Sequence, residues 1–150
     1  MKKQLLVIGM LTSCISFAQT DQLWSSTFAK SNSEIIENKT SLLSPKIYAL
    51  DFNGLKNALA KAPKRLSVGE KSEIIISFPN SEGKMENFKV RENSNFDPAL
   101  SAKYPDIKSY VGDGLDNSNS TIYFSISSLG LSSMEIYGNK SAVFIEPYTK

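Results

Sequence analysis

The sequence predicts an α+β domain in which an antiparallel β-sheet is covered by one main helix and accompanied by one short helix. Three observations predict this class. The apolar residues follow a helical period between Asp51 and Pro63 and a strand-like period after Pro63. Clusters of Gly, Pro, Asn and Ser separate the strand-like segments. The later strand-like segments follow one another through short turns, which is typical of antiparallel neighbours.

The domain is expected to begin with a strand over residues 46–50, followed by the main helix. Asp51 is placed to cap this helix, because its side chain can accept a hydrogen bond from a free backbone N–H of the first turn. Pro63 ends it. The residues expected to face the sheet share one stripe of the helix, namely Leu55, Ala58, Leu59 and Ala62.

The remaining elements are expected to be mostly strands. Asp97 and Pro98 open a short helix that runs to Lys103, as a cap followed by proline predicts. Turn-forming residues occupy 79–83 and 112–120, and Gly138 and Asn139 indicate a two-residue loop. The predicted strands cover residues 73–78, 85–90, 107–111, 121–127, 132–137 and 141–146. The domain as a whole is expected to span residues 46–150.

Residues 1–18 are interpreted as a signal peptide. Lys2 and Lys3 precede an apolar stretch that ends in a small-residue cleavage site after Ala18. The alternative is a lipobox over residues 11–14, which would make Cys14 a lipidated N-terminus. We expect a protein that is secreted, periplasmic or on the outer surface, without stable insertion in a membrane. Residues 19–45 are expected to form an extended lead-in, with Trp24 docked on the domain.

Composition excludes several functional classes. The chain has no His, so a Ser/His/Asp triad and a His-based zinc site are both excluded. The net charge of +2 comes from Lys2 and Lys3, so the chain after residue 18 is neutral by count. A neutral chain gives no argument for binding nucleic acid. The only Cys lies in the leader, so the mature chain is expected to hold no disulfide.

A loop rich in Asp and Asn offers one candidate metal site. Asp113, Asp116, Asn117 and Asn119 could supply oxygen ligands to calcium, which takes six to eight of them. The residues lack the regular spacing of a known calcium loop, and a strand-to-strand connection with Asx turns is the alternative interpretation. No other cofactor is expected.

A cluster of basic residues on and after the main helix offers a candidate docking surface for an acidic partner. Its members are Lys56, Lys61, Lys64 and Arg65. The alternative is the ordinary solvated face of an amphipathic helix.

The order of many short segments resembles the N-terminal pro-region of secreted reprolysin-like (metzincin) zinc metallopeptidases of flavobacteria. The segments that carry the resemblance are Trp24, Ile47-Tyr48-Ala49-Leu50-Asp51, Leu55-Lys56-Asn57-Ala58-Leu59, Ala62-Pro63, Phe78-Pro79, Gly83, Phe88-Lys89-Val90-Arg91-Glu92, Pro98-Ala99-Leu100, Tyr104-Pro105-Asp106-Ile107 and Tyr110-Val111-Gly112.

The resemblance implies a non-catalytic module that assists the folding or latency of a zinc metallopeptidase, whose catalytic domain would be its partner in cis or in trans. The segment Tyr110-Val111-Gly112-Asp113 is similar to the aspartate segment with which some metzincin pro-regions block zinc. Asp113 is therefore the candidate zinc-directed latch. The alternative from another functional class is a free-standing exported binding domain.

Overall fold

The computed structural model describes residues 23–28, 34–36, 45–64, 72–94 and 96–149. The leader with Cys14, most of the lead-in and Arg65 lie outside these ranges. The elements in chain order are β1 (Trp24–Ser26), β2 (Tyr48–Leu50), α1 (Phe52–Leu59), β3 (Ile75–Pro79), β4 (Met85–Glu92), α2 (Pro98–Lys103), β5 (Lys108–Gly114), β6 (Ser120–Ser127), β7 (Gly130–Tyr137) and β8 (Val143–Ile145).

Six of the strands form one sheet, in which every strand pairs with the next one along the chain. The order is β3-β4-β5-β6-β7-β8, and every pair is antiparallel. The sheet curls into a half-barrel, with β3 and β8 at its two edges. The two helices have eight and six residues, so the fold agrees with the predicted α+β class but is dominated by its sheet.

The curl depends on a glycine in the middle of β5. Gly112 faces the concave side, where a side chain would place its Cβ 2.9 Å from both Phe88 Cβ and Ile122 Cγ2. Real Cβ atoms do not approach other carbon atoms so closely. Glycine at this position therefore lets the side chains of β4 and β6 approach each other across β5.

The concave side of the sheet holds the hydrophobic core. Along β6, Ile122, Phe124 and Ile126 are buried while Tyr123 is exposed, which confirms the predicted alternation. The Phe124 ring stacks on Tyr110 at a centroid distance of 5.0 Å. The most completely buried apolar side chains of the core are Leu55, Ile76, Phe78, Phe88, Val90 and Ile122.

Helix α1 covers this core as the sequence predicts. The Asp51 side chain accepts a hydrogen bond from Gly54 N at 2.9 Å, and Leu55 and Leu59 are buried against the sheet. Strand β1 lies beside the helix, where the buried Trp24 donates from its indole Nε1 to the Ser77 carbonyl oxygen of β3 at 2.7 Å. The expected docking of Trp24 is confirmed.

Two of the predicted turns are wrong in extent. β5 continues through Gly114, so Gly112 and Asp113 are strand residues and not the start of a turn. They pair with Val90 and Lys89 of β4, and this pairing overrides the local turn preference of Gly and Asp. The connection after β7 covers residues 138–142, which makes it longer than the predicted two-residue loop.

Candidate functional site

The structure places the predicted latch residue, Asp113, on the outward side of β5. Its side chain is 62% exposed, and its Oδ2 lies 2.6 Å from Arg91 Nη1 of the neighbouring strand. An ion pair between exposed side chains stabilises a fold by only about 0–1 kcal/mol. The carboxylate is therefore accessible to a partner, although its Oδ2 is already paired with Arg91.

The predicted calcium-binding residues are divided between a strand and a turn. Asp116 Oδ2 accepts a hydrogen bond from Asn87 N at 2.7 Å, whereas Asn117 Oδ1 accepts one from Asn119 N at 3.0 Å. The Asn117 contact is an Asx turn, the alternative that the sequence left open. Within the described ranges, no group of three or more acidic or Cys side chains could hold a metal ion. Calcium binding stays a prediction.

The described lysines of the predicted basic surface are exposed. Lys56 extends its Nζ over the Phe52 ring at 4.9 Å, and Lys61 and Lys64 follow the helix end. This is the usual arrangement of a solvated helix face, in which a long side chain covers an apolar neighbour. Docking of an acidic partner stays a prediction.

A groove of about 870 Å³ lies between the two sheets. One wall is β2 and the other is β8 with the residues that follow it. Among the described residues, β2 pairs only with β1 and β8 pairs only with β7. β2 and β8 thus each have one edge without a partner strand in the described part of the chain, whereas the residues after β8 pair with Ile35 and Ile36 through Thr149 and Tyr148.

Exposed apolar side chains surround this groove. Phe28 is 90% exposed and Phe144 is 62% exposed, and Leu129 is also exposed at the β6–β7 turn. Large apolar side chains that are exposed together are typical of binding surfaces. Sequence reasoning missed the groove because it forms where two strands meet that lie far apart in the chain.

A second cluster, the carboxyl cluster of Glu86, Glu135 and Tyr137, lies on the concave side of the sheet. Glu135 is only 2% exposed, and Tyr137 is buried as well. Four buried polar atoms in the described part of the chain lack a hydrogen bond of normal geometry, and three belong to this cluster: Glu86 Oε2, Glu135 Oε1 and Tyr137 Oη. A buried polar atom without a partner is rare and requires an explanation.

The pKa of the Glu135 carboxyl is raised to about 7, mainly by burial and in part by the neighbouring Glu86. The Tyr137 hydroxyl and the Lys140 charge act in the opposite direction on the pKa of Glu135. Burial also raises the pKa of the Tyr137 hydroxyl, so the phenol stays neutral. A titratable group with a strongly shifted pKa is a candidate for function. The alternation of β7 could have revealed this group, since it turns Glu135 to the same side as the buried Leu131.

Two further findings concern the chain as a whole. Within the described residues, no helix is both long and apolar enough to cross a membrane. The chain matches no protein-family model, no curated protein and no solved structure.

Proposed function

We propose that this chain is a non-catalytic module that binds an extended polypeptide segment in the groove between β2 and β8. One observation carries the proposal: β2 and β8 line the same groove, and among the described residues each has one edge without a partner strand. A free edge binds an extended segment as an additional strand, through main-chain hydrogen bonds. The volume of about 870 Å³ lies within the range of roughly 300–1,000 Å³ that is typical of ligand sites.

The hydrogen bonds of β2 indicate which of its backbone groups face the groove. Thr27 N donates to Ile47 O at 3.0 Å, and Asp51 N donates to Leu23 O at 2.8 Å. In an antiparallel pair, alternate residues direct their N–H and C=O groups toward the partner strand. Ala49, which lies midway, shares this direction toward β1, so Tyr48 and Leu50 direct their backbone groups away from β1. Within the described ranges these groups make no backbone hydrogen bond, so we expect them to pair with a bound segment.

The side chains around the groove favour a segment with alternating apolar residues. An added strand places every second side chain on the same side. Phe28 and Phe144 are the exposed apolar contacts available to such side chains. We therefore expect a bound segment to have aliphatic or aromatic residues at alternate positions.

The test is selection of peptides from a displayed library of random ten-residue sequences. We expect the selected peptides to have alternating apolar residues and to lose at least tenfold in affinity for the F144K variant, because the lysine places a charge beside the bound strand. Leu115→Lys is the matched control, since Leu115 is 49% exposed and lies outside the groove. Equal affinity for the F144K variant and the wild-type chain would contradict the proposal.

A pro-region of a zinc metallopeptidase is a second candidate function, and the exposed carboxylate of Asp113 favours it. A carboxylate is a competent zinc ligand, and this one is open to a partner once Arg91 releases it. We expect the chain to inhibit a reprolysin-like catalytic domain and Asp113→Ala to weaken that inhibition at least tenfold. Inhibition that is unchanged by the substitution would exclude the latch and leave a folding role open.

A further inference from the structure

Two carboxyl groups that each have a buried oxygen come from strands that are not neighbours in the sheet. Glu86 belongs to β4 and Glu135 to β7, with β5 and β6 between them. In a flat sheet these strands would lie about 14 Å apart, at roughly 4.8 Å for each strand spacing. The two carboxyl groups nevertheless lie within reach of each other's charge, since Glu86 contributes to the raised pKa of Glu135. Their proximity therefore depends on the curl of the half-barrel.

Each carboxyl group has one oxygen without a hydrogen-bond partner. These atoms are Glu86 Oε2 and Glu135 Oε1, and both are buried. Two ionised carboxylates cannot satisfy each other, because each can only accept hydrogen bonds. A protonated carboxyl group has an O–H donor, so one proton between the two groups would satisfy both atoms.

Glu86 has one hydrogen-bond donor in a fixed position. Asn80 Nδ2 donates to Glu86 Oε1 at 2.6 Å. The orientation of this amide is fixed, because its Oδ1 accepts from the backbone N–H groups of Glu82 at 2.9 Å and Lys84 at 3.0 Å. Glu86 therefore already has a donor at Oε1, so its Oε2 is the atom that can accept a hydrogen bond from a protonated Glu135.

We propose that Glu86 and Glu135 share one proton, held by Glu135, and that loss of this proton separates the two carboxylates and loosens the curled sheet. When both groups are ionised, two like charges face each other in a poorly solvated place. Their repulsion acts between β4 and β7, and it is relieved when the sheet uncurls. The pair is thus a pH-sensitive device built into the fold.

The charged and titratable groups that act on Glu135 are Glu86 on β4, Tyr137 on its own strand and Lys140 in the following turn. Lys140 lies with its Nζ 3.6 Å from the centroid of the Tyr137 ring. The residues paired with Glu135 on the adjoining strands are Ile122 and Val143, neither of which titrates.

The sign of the pH dependence follows from the raised pKa. The pKa of Glu135 rises from an ordinary value of 4.5 to about 7 in the fold. Between pH 4.5 and about pH 7 the folded chain therefore holds a proton that the unfolded chain has lost. The stabilisation is fully present below pH 4.5 and is lost as the pH rises through about 7. β8 is directly affected, because its Val143 pairs with Glu135.

The test is urea unfolding of the chain at pH 5 and pH 8. The reference is Glu135→Gln, which keeps an N–H donor but does not titrate. We expect the unfolding equilibrium constant of the wild-type chain to rise between pH 5 and pH 8 on the order of a hundredfold more than that of this variant. Glu73→Gln is the matched control, since Glu73 is exposed and should leave the wild-type pH dependence unchanged. An equal pH dependence for the wild type and the E135Q variant would overturn the proposal.

A measurement on the wild-type chain keeps the proposal testable if the E135Q variant does not fold. Carbon-13 NMR of the Glu135 side-chain carboxyl follows its titration directly. We expect a midpoint near 7, and a lower midpoint in Glu86→Gln, where the neighbouring charge is absent. A wild-type midpoint near 4.5 would show that no proton is shared. The outcome does not depend on whether the groove binds a polypeptide.

Discussion

Carboxylates on the two sides of the curled sheet differ in their exposure and in their charged neighbours. On the outward side, Asp113 is 62% exposed and lies 2.6 Å from the Arg91 guanidinium. On the concave side, Glu135 is 2% exposed, and the nearest charged partner within its cluster is another carboxyl group. Solvent screens the first pair, whereas burial dominates the second. The side of the sheet that a carboxylate faces thus decides whether it acts as an ordinary surface charge or as a proton-binding group.

The largest expected difference between the two sides is in packing. Phe88→Ala should lower the free energy of unfolding by about 3–5 kcal/mol, because Phe88 is fully buried on the concave side and its removal leaves a cavity. Tyr123→Ala removes an aromatic ring from the outward side and should cost less than about 1 kcal/mol. Urea unfolding measures both values. Similar losses would mean that the outward side is also packed.

The next expected difference concerns the replacement of a carboxylate by a neutral amide at pH 8, which should change the free energy of unfolding in opposite directions on the two sides. Glu135→Gln should stabilise the chain by up to about 3 kcal/mol, because it removes a buried charge. Asp113→Asn should destabilise the chain by less than about 1 kcal/mol, because it weakens only an exposed ion pair. Thermal or urea unfolding in 0.1 M salt distinguishes the two. Effects of the same sign would contradict the contrast between the two sides.

Local patterns were sufficient to predict much of the fold. Helix α1 follows from a cap at Asp51 and from an apolar stripe that includes Leu55 and Leu59. These residues lie within about two helical turns of the cap. The turn between β3 and β4 follows from Gly83, whose φ of 87° favours glycine. α2 follows in the same way from Asp97 and Pro98. In each case the deciding contacts lie within a few residues of one another.

Features that depend on distant residues were not predicted. Gly112 and Asp113 have the composition of a turn, and only their pairing with β4 and β6 shows them to be strand residues. The alternation of β7 places Glu135 on the side of Leu131, but its approach to Glu86 depends on the curl that brings β4 and β7 together. The groove depends on the approach of β2 to β8, which the sequence does not encode as a local pattern.

The sequence also predicts functional residues that the structure does not bring together. Asp113 binds Arg91, whereas Asp116 binds the backbone of Asn87, so the two carboxylates have different partners. Their closeness in sequence reflects the end of a strand and the turn after it. Asp113 belongs to β5, whereas Asp116 lies in the turn after it, so the two side chains have different surroundings.

The most direct test of the proposed binding function is hydrogen exchange at β2 with and without a selected peptide. We predict slower exchange of the Tyr48 and Leu50 amides when the peptide is bound, because their N–H groups become paired with an added strand. The Ala49 amide, which faces β1, is the internal control and should be unchanged. Peptide binding that leaves the exchange of Tyr48 and Leu50 unaltered would contradict strand addition at this groove.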